Sequence, residues 1–245
     1  MLYCIFCYKE DEPLLALCAQ RVKEVDPAAV IYAISDAAAP VRKVPEGVQL
    51  RETSFPRGGS LNGLLCVAGM LSVFRELMEA EGAGYVVKLD ADTWVNALPG
   101  WEADDGVGYL GFERWQVFQP AGHCYRLSRA AVERMCALFE ERTRAGLWPP
   151  NALYREDHTI YGLATAAHMP QSLIPFMEGR STGMADALPG EYEACRAAWV
   201  VHCGEHCGYD AKGQVIRPTR GHVLMRMAVL KYELRSTNYP ASSQP

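Results

Sequence analysis

Short apolar runs alternate along the chain with stretches in which hydrophobic residues recur every three or four positions. Tyr3 to Tyr8, Val30 to Ile34 and Val86 to Leu89 are rich in β-branched and aromatic residues, as strands buried on both faces require. After the first run, Asp11 stands as an N-cap and Pro13 falls in the first turn of a helix. Leu14, Leu15, Leu17, Cys18 and Val22 mark its apolar side. A looser stretch with Pro40 and Pro45 leads to a short strand around Val48 and Leu50. Ser60 then caps a long helix in which Leu61, Leu64, Leu65, Ala68, Leu71, Phe74 and Leu77 keep helical spacing, and Gly82 and Gly84 end it. Strand, helix, strand, helix, strand predicts an α/β fold: a single Rossmann-like domain with a mainly parallel central sheet flanked by helices.

The second half has a different rhythm. Val107 to Phe112 and His123 to Leu127 read as strands, followed by a helix over 129–144 capped by Ser128. Glu156 and Asp157 open another helix running through His168. Residues 179–192 are rich in glycine and small side chains and read as a mobile loop; Trp199 to Val201 forms a last strand. Thr219 caps a final helix to about Leu234. No repeat or low-complexity linker divides the chain, so residues 1–235 are expected to form one domain and 236–245 a disordered tail.

Composition narrows the function classes. Hydrophobic residues make up 49% and charged residues 22%, the mix of a soluble globular protein. A net charge of −5 speaks against a dedicated nucleic-acid binder, which needs a basic face. The amino terminus MLYCIFCYKEDE lacks the basic region of a signal peptide, and Leu64 to Leu71 is far shorter than the ~20 residues of a membrane span. A cytoplasmic protein with no integral membrane segment is the expectation. The nine cysteines are scattered, which fits reduced, buried thiols.

The candidate chemistry begins at VVKLDADTWV (86–95), a strand that stops on Asp90 and Asp92. Asp is depleted in strands, and side chains at i and i+2 share one side of an extended backbone. Two carboxylates that close repel unless water, a cation or donors satisfy them. The plain reading is a solvated strand end in which the Asp side chains organise a turn. The chemical reading is a site for a hard divalent cation that keeps several waters and grips a diphosphate. In a doubly wound sheet, the carboxyl ends of the strands are where ligands bind.

With these residues in order, the chain resembles nucleotide-sugar-dependent glycosyltransferases of the A-type (GT-A) fold, especially inverting members that act like β-1,3-glycosyltransferases. The resemblance spans roughly residues 1–210. It rests on DAD, on RGGSLNG (57–63), on GHCYRLSR (122–129), on EDHTIYG (156–162) and on VVHCG (200–204). After the second strand the chain has Ser35-Asp36-Ala37, where many inverting relatives have paired acids. The resemblance implies transfer of a sugar from a nucleoside-diphosphate sugar, a UDP-sugar first, to a hydroxyl of a glycan or other acceptor. It implies Mn²⁺ or Mg²⁺, with Asp92 as the main ligand, Asp90 reaching the ribose or the metal through water, and His202 completing the protein side. Arg57 and Asn62 would contact the diphosphate or sugar; Tyr8, Lys9 and Asp36 would meet the nucleotide. Asp157 would be the general base that takes the acceptor proton. Its alternative role, with Glu156, is to complement the helix dipole, a stabilisation of roughly 0.3–1 kcal/mol.

Two other functions fit parts of the sequence. HCGEHC (202–207) sets His202, Cys203, His206 and Cys207 at spacings that suit zinc, which would make the chain a zinc-stabilised binding protein without enzymatic activity. Cys4 and Cys7 share a CxxC spacing, but positions three apart in a strand point to opposite faces. A nucleotidyltransferase making nucleotide sugars would use a similar sheet and acidic residues. Such enzymes carry a glycine-rich loop after the first strand, and CYKEDEPLL has none.

Overall fold

The computed structural model describes residues 1–57, 63–96, 106–114, 117–148, 155–174, 176–178, 200–204, 211–212, 214 and 219–235. The first half follows the predicted alternation: β1 (Leu2–Cys7), α1 (Glu12–Val25), β2 (Val30–Asp36), β3 (Val48–Thr53), α2 (Gly63–Ala80) and β4 (Tyr85–Asp90). Then come β5 (Thr93–Val95), β6 (Val107–Arg114), β7 (Val117–Ser128), α3 (Arg129–Arg144) and α4 (Glu156–Ala166). The short strands β8 (Gln171–Ile174), β9 (Phe176–Glu178) and β10 (Val200–His202) precede the last described helix, α5 (Arg220–Arg235).

Seven strands form the central sheet in the order β3-β2-β1-β4-β7-β6-β8. Within it β7 runs antiparallel to both neighbours, and the other pairings are parallel. The chain moves outward from β1 to β3 and then returns to the other side of β1 as β4. That reversal opens a crevice at the carboxyl ends of β1 and β4, the usual ligand site of such a sheet. A second sheet, β5-β10-β9, continues directly from β4.

Alternating side chains of each central strand feed two cores. Tyr3, Ile5, Cys7, Val87 and Leu89 pack with Leu14, Leu15, Cys18 and Val22 of α1 and with Val223, Met227 and Leu230 of α5. Leu2, Cys4, Ile34 and Val86 pack on the other face with Val67, Met70, Leu71 and Phe74 of α2, Val132 and Met135 of α3, and Ile160 and Leu163 of α4. Burial on both faces explains why these strands read as nearly continuous apolar runs.

Helix ends follow local chemistry. The Ser128 hydroxyl accepts from the Ala131 amide at 3.1 Å, the predicted cap of α3. Gly82 (φ 62°) closes α2, with its amide bonded to the Glu79 carbonyl and that of Ala83 to Met78, a Schellman pattern that needs the left-handed conformation. The helix expected to run through His168 stops at Ala166, because His168 takes φ 51° and caps it in the same way. Asp11 precedes α1 but does not cap it with its side chain. Its carboxylate turns back to accept the Tyr8 amide at 3.0 Å. Ser60 and the loop 179–192 lie outside the described residues. Among those described, no helix is long and apolar enough to cross a membrane.

Candidate active site

The strand β4 delivers Asp90 at its last position, and the turn to β5 presents Asp92 two residues later. Both line a cleft of about 290 Å³ at the crevice between β1 and β4. Its described walls include Tyr8 from the end of β1, Asp11 from the turn before α1, Arg57, Glu156 from α4 and Arg220 from α5. Residues far apart in sequence thus meet where the sheet order reverses.

Beneath the carboxylates lies a buried cation that the sequence reading did not single out. Lys88, two residues after Val86, shares its face and so points into the α2 side of the sheet, where it is only 2% exposed. Its ammonium donates to Asp90 Oδ1 at 2.7 Å and to the Gly122 carbonyl, and lies 3.4 Å from Glu156 Oε1. The Phe6 and Tyr125 rings stand 5.7 and 5.8 Å from it. Burial alone would lower the Lys88 pKa, but Asp90 and Glu156 more than offset it, so the ammonium is held in its charged form. Burial likewise favours neutral Asp90, yet Lys88 and then His123, 3.5 Å away, bring its carboxyl well below the usual range. Glu156 accepts the Tyr125 hydroxyl at 2.9 Å, and burial pushes its pKa up. One ammonium therefore ties together a carboxylate from β4 and another from α4.

The other candidates fall into place unevenly. Tyr8 lines the cleft. Lys9 is exposed on the turn before α1, its amide bonded to the Ala39 carbonyl, and it does not line the described cleft. Asp36 ends β2 and uses Oδ1 to accept the Ala38 amide at 2.8 Å, an Asx turn at the strand end. Arg57 reaches the cleft, but its guanidinium is engaged within the fold. It donates to the carbonyls of Ile34 (2.8 Å) and Cys7 (3.3 Å) and to the Thr53 hydroxyl (2.6 Å), and stacks near Phe6, Phe55 and Tyr8. Asn62 lies outside the described residues.

The acid pair of α4 divides. Glu156 lines the cleft, whereas Asp157, 9% exposed, accepts the His158 amide at 2.9 Å and lies 3.6 Å from Arg155. Asp157 also packs beside Gly122, where an added Cβ would sit 3.6 Å from its own Cβ. His202 is brought near the DAD turn through its backbone. It pairs with Thr93 across β5 and β10, and the next amide, Cys203, donates to the Asp92 carbonyl at 2.9 Å. The Cys203 carbonyl in turn accepts from buried Arg226 of α5 at 2.8 Å.

Asp90 and Asp92 offer hard oxygen donors on one cleft, which fits Mn²⁺ or Mg²⁺ far better than a soft, thiolate-bound ion. Among the described residues no group of three His, Cys, Asp or Glu is arranged to hold a metal. Cys4 and Cys7 belong to opposite cores, as their spacing predicts, and the described cysteines are buried. His206 and Cys207 lie outside the described residues.

No protein-family model matches the chain. No curated protein matches it either. Solved structures do. A glycosyltransferase involved in the glycosylation of the major capsid of PBCV-1 shares 13% identity at a TM-score of 0.54, covering 93% of this chain and 98% of that one. The galactosyltransferase LgtC, solved with donor and acceptor sugar analogs, shares 12% identity at a TM-score of 0.53, covering 98% of both chains. An active-site mutant of LgtC gives 12% identity and a TM-score of 0.54, over 95% and 96%. The chain therefore has the α/β fold of these glycosyltransferases over nearly its whole length.

Proposed function

We propose that this protein is a glycosyltransferase that moves a sugar from a nucleoside-diphosphate sugar to a hydroxyl acceptor. The observation that carries this reading is the placement of Asp90, Asp92 and Glu156 around one cleft, at the point where strand order reverses, on a fold shared with glycosyltransferases. Asp90 and Asp92, with His202 from the adjacent strand, would hold a divalent cation, which when bound neutralises the diphosphate leaving group. Without such a charge, two carboxylates would repel a diphosphate. Tyr8, at the end of β1, would meet the nucleotide, a uridine diphosphate in the first instance. Arg57 would serve that end of the cleft by fixing the ends of β1 and β2.

Inversion needs a carboxylate that accepts the acceptor's proton as its oxygen attacks the anomeric carbon. Asp157 is the proposed base, on the resemblance of EDHTIYG to inverting relatives. Glu156 is the second candidate because its side chain lines the cleft. Lys88 anchors one end of this acid pair to Asp90. The zinc-stabilised alternative rests on His202, Cys203, His206 and Cys207; stoichiometric zinc in the purified protein would favour it.

A thermal-shift screen with UDP-, GDP- and CDP-sugars, each with Mn²⁺ and with EDTA, tests the reading. Stabilisation by one class of nucleotide sugar, present with Mn²⁺ and absent with EDTA, is the expected outcome. No shift with any donor under either condition would contradict it.

A further inference from the structure

Three cations line the described cleft, and two are spent within the fold. Lys88 is buried against Asp90, Glu156 and the Gly122 carbonyl. Arg57 donates to two carbonyls and a hydroxyl. Arg220, the first residue of α5, differs: its side chain is 54% exposed, and its Nε meets Asp11 Oδ1 at 2.8 Å. Asp11 itself is held, since its other oxygen accepts the Tyr8 amide and its side chain is only 8% exposed. The ion pair seats the guanidinium beside Asp11 with more than half of the side chain exposed, and the fork of an arginine takes a planar or tetrahedral anion through its terminal nitrogens. Asp92 lines the same cleft.

The rest of α5 makes this arm rigid. Val223, Met227 and Leu230 are buried against α1 and the sheet, and Arg226 donates to the Cys203 carbonyl. The exposed end of a well-anchored helix thus presents an oriented cation to a cleft whose other described charges are four carboxylates and two committed cations.

On the proposed function, we infer that Arg220, held beside Asp11, binds the diphosphate of the nucleotide donor directly, in the cleft that Asp90 and Asp92 also line. The interaction is with the phosphoryl oxygens, so free pyrophosphate shares it. A purely structural Arg220–Asp11 pair would anchor α5 and leave ligand affinity alone.

Calorimetric titration in Mn²⁺ with UDP and, separately, with inorganic pyrophosphate distinguishes these roles. Arg220→Ala is expected to weaken both ligands by about tenfold or more, the effect of losing charge-assisted hydrogen bonds. Arg220→Lys, which keeps the charge without the fork, should recover part of the loss. Lys231→Ala removes a charge from the far end of the same helix, where Lys231 pairs with Gln20 at 2.8 Å, and should leave affinity unchanged. If the wild type binds UDP and Arg220→Ala binds both ligands within twofold of it, the inference falls while the proposed function stands. If the wild type binds neither ligand, both fall together.

Discussion

A lysine at the centre of a buried strand is costly unless its charge is answered, and Lys88 is answered from three sides. Lys88→Met would fit the space but leave Asp90 and Glu156 facing each other without a cation. Because both acids reach solvent, the expected loss is about 2–3 kcal/mol, below the ~3–5 kcal/mol of a fully buried broken pair. Urea unfolding measures it; an unchanged midpoint would show that the ammonium does not stabilise the pair. At the same scale, the two acids of α4 predict different consequences. If Asp157 is the base, Asp157→Asn should reduce transfer by ~10²–10⁴-fold with donor affinity unchanged. If Glu156→Gln has that effect and Asp157→Asn does not, the base is Glu156. The anomeric configuration of the product, read by NMR, decides whether inversion applies at all. Lys88 escaped the sequence reading: a lysine between valine and leucine marks no partner, and nothing local reveals that Glu156, 68 positions later, meets it.

At the scale of elements, periodicity specified what packing required. The strands buried on both faces and the amphipathic α1 and α2 stand where their apolar patterns put them, and α3 starts at its Ser128 cap. Short strands escaped: β5, β8 and β9 have three or four residues, too few to show a period, and owe their conformation to neighbouring strands. Asp11 had the residue type of a cap but serves Tyr8 and Arg220 instead, a choice fixed by tertiary contacts. The end of α4 was missed because a histidine, not a glycine, takes the left-handed position. His168→Gly should therefore raise stability by about 1 kcal/mol, since the left-handed conformation costs a side-chain-bearing residue roughly that much. Thermal unfolding at neutral pH measures it; a lower midpoint would mean that the imidazole makes up for the strain.

Across the whole molecule, the described core thiols set a limit on the alkaline side. Burial first, with smaller charge effects, pushes Cys7 and Cys66 up to about 12, while the same thiols exposed in the unfolded chain ionise near 9. Above pH 9 the unfolded state binds fewer protons than the folded one, so stability falls as pH rises toward 12. Lys88, whose folded pKa is also raised, acts in the same direction above its unfolded value. Urea midpoints at pH 7, 9 and 10.5 should decline in that order; equal midpoints would show that these groups do not respond to folding. The global arrangement was largely legible in the sequence because alternating strands and helices leave few topologies. The cleft was less so, because its walls come from β1, β4, α4 and α5, joined only by the folded chain.

On the proposed function, nucleotide binding in this cleft depends on a divalent cation held by the DAD acids. Calorimetric titration of UDP into the wild type and Asp92→Asn, each with Mn²⁺ and with EDTA, tests it most directly. The expected result is binding by the wild type with Mn²⁺, loss of that binding in EDTA, and a comparable loss in a folded Asp92→Asn variant. Equal UDP affinity in Mn²⁺ and EDTA would contradict it.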